Sequence, residues 1–141
     1  MRIHDSLMLT ATLSAVHVIG MTLLAGSVLV SNLRAIGAIF RDRPVIDVTG
    51  ATRAGILVGL GISVVTGTLL FLPRATAAAN NGVFRVKMLV LLAAIAFHFV
   101  MYRPLGVRPG VKAGTLRMAG ALSLALWFGV VAAGAAFILL E

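Results

Sequence analysis

No cysteine occurs among the 141 residues, so disulfides, thiolate metal sites, CxxCH haem attachment and cysteine nucleophiles are all excluded. Acidic side chains are nearly as scarce, four against twelve Lys and Arg, for a formal charge of +8. All four, Asp5, Asp42, Asp47 and Glu141, lie outside the long uncharged runs, which argues against paired-carboxylate hydrolysis and against a carboxylate-based proton pump. A phosphate-binding glycine loop and a nucleophile elbow are also missing. No residue is therefore assigned a catalytic role, and the chain reads as a binding or accessory protein more than as an enzyme by itself. Polar surface is lacking too. At 60% hydrophobic residues the chain cannot cover a soluble domain with water-compatible groups, so its solvent is mostly lipid. The basic residues sit singly at the ends of apolar runs, with no basic stripe and no interleaved aromatics, which speaks against a nucleic-acid partner.

What is present is four runs without formal charge, at 6–33, 54–73, 88–102 and 118–140. About 20 helical residues cross a hydrocarbon core of roughly 30 Å. The third run is short, but Val83, Phe84 and Val86 extend it if Arg85 and Lys87 raise their charged ends to the interface. The expectation is an all-α integral membrane four-helix bundle, one domain over 1–141, with helices near 6–33, 53–73, 83–102 and 115–140. Pro44, Pro73, Pro104, Pro109 and Asn80-Asn81-Gly82 fall between the runs, where chain breakers belong. The first run is read as a spanning helix and not a signal peptide, because it is too long and its single leading Arg2 is countered by Asp5. Loops one and three carry Arg34, Arg41, Arg43, Arg53, Arg103, Arg108, Lys112 and Arg117, against Arg2, Arg74, Arg85 and Lys87 on the other side. Eight against four makes loops one and three cytoplasmic and puts both termini outside.

Small residues recur every four positions at Gly55, Gly59, Ser63 and Gly67, and again at Ala121, Ala125, Gly129 and Ala133. Such stripes let helix backbones approach in lipid, where packing is the main attraction between helices. Close homodimer contact is the lesser use of the same faces. Trp127 is too deep for an interfacial anchor and is expected to pack in the bundle or against lipid tails. Tyr102 sits where an inner aromatic belt would. His4, beside Asp5, needs no more than a surface role.

His17 and His98 are the imidazoles inside the apolar runs, and an intramembrane ionisable group is a functional candidate because it needs a partner. Counted inward from Asp5 and from Lys87, the two reach depths of roughly 18 and 16 Å. That places them at one level on helices running the same way. Gly20 beside His17 and Ala94 one turn before His98 leave room for a bulky group. A b-type haem clamped by both histidines would use that room for electron transfer, with Lys87 reaching a propionate. Met21, four residues after His17, and Met101, three after His98, could instead complete a Cu(I) site of imidazoles and thioethers. A cofactor-free accessory role, with each imidazole bonded to a neighbouring hydroxyl or carbonyl, is the third reading. Any shared site requires neighbouring first and third helices, with the rings within about 12 Å, closing to about 2 Å per metal-nitrogen bond when occupied.

Thr66-Gly67 with Phe71, then Asn80, then Phe84-Arg85-Val86-Lys87 and His98, resembles the membrane region of CopD-like copper-resistance proteins. The similarity is closer still to small uncharacterised bacterial four-helix membrane proteins related to them. A histidine early in the first helix, a Thr-Gly in the second and F-x-x-K ahead of the third recur there, matched here by His17, Thr66, Gly67, Phe84 and Lys87. The resemblance implies a multi-pass protein of the bacterial inner membrane with metal or haem handling. CopD proteins commonly have about twice as many helices, so copper import does not transfer with the likeness. Beyond the lipid bilayer, a second copy or a membrane redox partner completes the list of expected partners.

Overall fold

The computed structural model describes residues 3–139, with side-chain surroundings for all of these except 3–6, 77–78 and 137–139. The readings of Arg2, of Glu141 and of the side chains of His4 and Asp5 fall outside what it describes. Every regular element in the described residues is helical. Helix α1 spans Ile3–Ile36 and α2 spans Val45–Phe71. A single 3-10 turn, Leu72–Arg74, leads to the short α3, Ala75–Asn80. The third long helix is composite: α4, Gly82–Phe97, passes through a π turn, His98–Tyr102, into α5, Arg103–Val107. Helix α6 covers Ala113–Leu139. Four of these stretches are long and apolar enough to cross a membrane, Leu7–Ile36, Val45–Arg74, Gly82–Val107 and Ala113–Ala136.

The helix ends follow from local chemistry. α1 stops at Gly37, whose φ of 86° suits a residue without Cβ. The Ala38 N–H reaches back to the Leu33 carbonyl and the Gly37 N–H to Arg34, which closes the orphan carbonyls of the last turn in a Schellman arrangement. Asn81 starts α4 by accepting from the N–H groups of Val83 and Phe84 at 2.9 and 3.3 Å.

Two boundaries differ from the sequence expectation. α2 begins eight residues before position 53, directly after Pro44, because Asp47 and Arg53 are tolerated in a helix whose first turns lie at the polar end. The third span continues to Val107 through Pro104. Pro104 has no N–H for the Val100 carbonyl and its ring crowds that group. The widened turn absorbs the defect, with the Arg103 N–H bonding the His98 carbonyl five residues back.

α1 packs along α2 and α6, α6 packs along α4, and α5 closes on α2. The order around the bundle is therefore α1, α2, third span, α6, with α1 and α4 across the diagonal. This corrects the expectation that the first and third helices are neighbours. The stripe on α2 packs as expected: Cβ atoms built on Gly55 and Gly59 would collide with Ser27 and with the backbone of Leu24 and Gly20, and one on Gly67 would press on His17. The stripe on α6 packs only in its second half: Ala121 and Ala125 are exposed, whereas Gly129, whose Cβ would stand 3.3 Å from Val90 Cγ1, and Ala133 are half-buried, beside the buried face of Ala119, Gly120, Ser123, Trp127 and Val130. Trp127 joins Leu24, Val28, Ile56, Ala94 and Val130 in the central apolar layer.

α5 meeting α2 places loops one and three at the same end of the bundle, so the eight basic residues read in those loops gather there. Under the positive-inside rule this end is expected to face the cytoplasm. A reporter fused after Glu141 is expected to be active only on the outer side of the membrane. Cytoplasmic activity of the fusion would reverse the orientation.

Candidate functional site

His17 and His98 occupy different floors of the bundle. His17 projects from α1 onto α2, with Nδ1 2.8 Å from Thr66 Oγ1. His98 faces the cleft between α2 and the third span, beside Thr49, Arg53, Ile56 and Leu57. From Ile56 to Thr66 is ten residues of α2, or about 15 Å at 1.5 Å per residue. The expected common level fails for a physical reason. Lys87 had been counted as an outer boundary residue, but it faces inward at the level of His17, with Cε and Nζ 3.8 and 4.0 Å from where a Cβ on Gly134 would stand. The eleven residues from Lys87 to His98 therefore measure the separation of the two floors.

The room expected between the histidines is filled as well. A Cβ on Gly20 would lie 2.6 Å from Ile62 Cγ2, so Gly20 serves helix contact and does not line a gap. Ala94 is sealed within the apolar layer beside Trp127. The methionines also part from the histidines. Met101 is 53% exposed on the outer face of the bundle, and Met21 lines an apolar groove between α1 and α6 with Trp127 and Phe128. A haem or copper ion shared between His17 and His98 does not fit this arrangement. Among the described residues, no group of three or more His, Cys, Asp or Glu could hold a metal ion.

The upper floor is built by all four spans. Thr66 has one hydroxyl proton, and its Oγ1 lies 2.6 Å from the Ile62 carbonyl one turn back, which can only accept. The contact to His17 must then run from Nδ1–H to Thr66 Oγ1. In the neutral ring this leaves Nε2 as an unprotonated electron-pair donor. Gly67 lets the ring lie against the α2 backbone, since a Cβ there would stand 3.2 Å from Cε1. The ammonium of Lys87, on the third span, acts electrostatically on the imidazole. Phe71 and Phe84 stack at 5.2 Å where α2 and α4 meet nearby. The residues that carried the sequence resemblance, His17, Thr66, Gly67, Phe84 and Lys87, thus assemble in one half of the bundle.

The lower floor was largely missed by the sequence reading. His98 is 2% exposed, stacked on Tyr102 at 5.4 Å and edge-on to Phe99. Tyr102 is buried and shares a 2.8 Å hydrogen bond with Ser31, so it is an interior residue and not a belt residue. Asn32, Ser31, Thr49 and Ser123 are buried on the same side of the apolar layer. The available signals were Asn32 inside an apolar run and Tyr102 four residues after His98, hence on its face.

The family of unknown function designated DUF6644 matches residues 6–139. No curated protein matches and no solved structure matches.

Proposed function

We propose, for a chain that belongs to that family, that it is a membrane-embedded cofactor protein of the bacterial inner membrane whose upper floor, His17 with Lys87, holds a b-type haem. One observation carries this reading. The Thr66–Ile62 hydrogen bond fixes His17 with Nε2 as an electron-pair donor, the state that ligation of iron requires, and anchoring the other ring nitrogen is how proteins orient such ligands. The donor set suits the group: an imidazole nitrogen for iron and an ammonium for a carboxylate. Gly67 seats the His17 ring and Gly134 the end of the Lys87 chain, which holds the two donors against the helix walls. When bound, the haem supplies one-electron chemistry.

The chain's own residues do the rest. Thr66 holds the His17 ring against rotation, Lys87 offsets negative charge, and the layer of Leu24, Val28, Ile56, Ala94, Trp127 and Val130 keeps water in the lower half from the upper floor. A second copy or a membrane redox partner would exchange the electron. Copper(I) at His17 and Met21 is not favoured, because Met21 lines the groove toward α6 and the Lys87 ammonium repels a bare cation at short range.

The test is the dithionite-reduced spectrum of the detergent-purified chain. A sharp visible band is expected in the native protein and in His98→Ala, and none in His17→Ala. Thr66→Val is expected to weaken cofactor retention about ten- to a hundredfold. Colourless native protein after expression with haem supply would overturn the reading. Loss of the band in His98→Ala with a normal helical spectrum would return the shared site.

A further inference from the structure

The lower floor opens sideways into a second site, independent of the upper one. Thr49, Arg53 and Leu57 of α2 and His98, Phe99 and Arg103 of the third span line a cleft between these helices. Its floor is polar and sealed: His98 and Thr49 are 2% and 5% exposed, Thr49 lies within reach of the Tyr102 hydroxyl, and His98 Nδ1 has no hydrogen-bond partner among the described residues. Buried polar groups are normally satisfied, so an orphaned imidazole nitrogen at the base of a cleft rimmed by arginines points to a ligand above it. The rim carries Arg53 and Arg103. Neither forms an ion pair among the described residues, where the one salt bridge is Arg43 to Asp42. Gly106 packs on Thr49, where a Cβ would come within 3.0 Å of Oγ1, so this end of the cleft is closed by backbone.

Two guanidiniums at the rim match a phosphate group, whose oxygens accept several charge-assisted bonds at once. The cleft lies at the end of the bundle that carries the eight basic residues of loops one and three, beside Leu57 and Val100, which are exposed on the outer face. A free anion would meet that apolar flank at a cost, whereas a lipid covers it with its chains. We infer that the rim of the cleft between α2 and the third span binds the phosphodiester of an anionic phospholipid headgroup, with Arg53 and Arg103 pairing the phosphate and the one-water space beneath it linking the phosphate to His98. Basic pockets between spanning helices are the general form of such sites.

Native mass spectrometry of the delipidated full chain tests this by titration with dioleoylphosphatidylglycerol, dioleoylphosphatidylcholine or inorganic phosphate. Phosphatidylglycerol is expected to bind about tenfold more tightly than phosphatidylcholine, a preference lost in Arg53→Gln with Arg103→Gln and kept in Arg108→Gln. His98→Phe, which leaves both arginines, is expected to weaken it by a smaller factor, and far-UV circular dichroism checks that each variant keeps its helices. Equal binding of the two lipids, or a preference unchanged in the double variant, would overturn the site. Binding of inorganic phosphate without lipid preference would overturn the lipid as its source. His17→Ala should leave the preference intact, so failure of the haem reading does not touch this result.

Discussion

Gly59→Val is expected to destabilise the protein more than any other single exchange on the α2 stripe, by about 3 kcal/mol or more. A Cβ at position 59 would stand 2.6 Å from the Leu24 nitrogen and 2.9 Å from both the Gly20 oxygen and the Leu24 Cα. All three are backbone atoms of α1, so no rotamer change relieves the clash and the helices must move apart. Separating α1 from α2 would also break the His17 to Thr66 hydrogen bond. Gly61, two residues on, has nothing within 4 Å of its built Cβ. Gly61→Ala should therefore be neutral or stabilising, by up to about 1 kcal/mol from helix propensity. Thermal unfolding in one detergent, followed at 222 nm, compares them. Equal midpoints for Gly59→Val and the native chain would mean that α1 and α2 do not meet here.

Much of this architecture is readable from the sequence, because lipid imposes simple rules. Four uncharged runs became four helices able to span a membrane, and Asn81 and Gly37 ended or began them through ordinary capping chemistry. The α2 stripe was legible since Gly55, Gly59, Ser63 and Gly67 all lie on one face. What was not legible depends on which helix lies beside which. The α6 stripe had the same spacing but its first half, Ala121 and Ala125, points outward, and small size alone does not say whether a face is covered. Lys87 illustrates the problem for the site. Its charge read as a boundary marker, yet its register with Ala94 and His98 turns it inward, and one misplaced boundary put both histidines at a false common depth. Thr66 and Gly67 were quoted only as parts of a resemblance. Their meaning, an anchor for Nδ1 and a bare backbone for the ring, required the neighbouring helix to be in place. Arg53 and Arg103 were counted for topology, and only the cleft between their helices gives them a second role.

The second large expected effect bears on the separation of the two histidines, on which both sites depend. Because the chain has no cysteine, a pair of introduced thiols is the sole target for a thiol reagent. A short, membrane-permeant bis-methanethiosulfonate joins thiols within several ångströms of each other and fails across a gap of about 15 Å, ten residues of helix rise. His17 lies against Gly67, with its Cε1 3.2 Å from the built Cβ, whereas His98 lies a floor below and across the bundle diagonal. The measurement is the intact mass of the double variants after reaction in membranes. His17→Cys with Gly67→Cys should gain one bridging spacer in nearly every molecule, and His17→Cys with His98→Cys should gain two separate adducts and no bridge. Bridging of positions 17 and 98 as complete as that of 17 and 67 would contradict the two-floor arrangement and restore a single shared site.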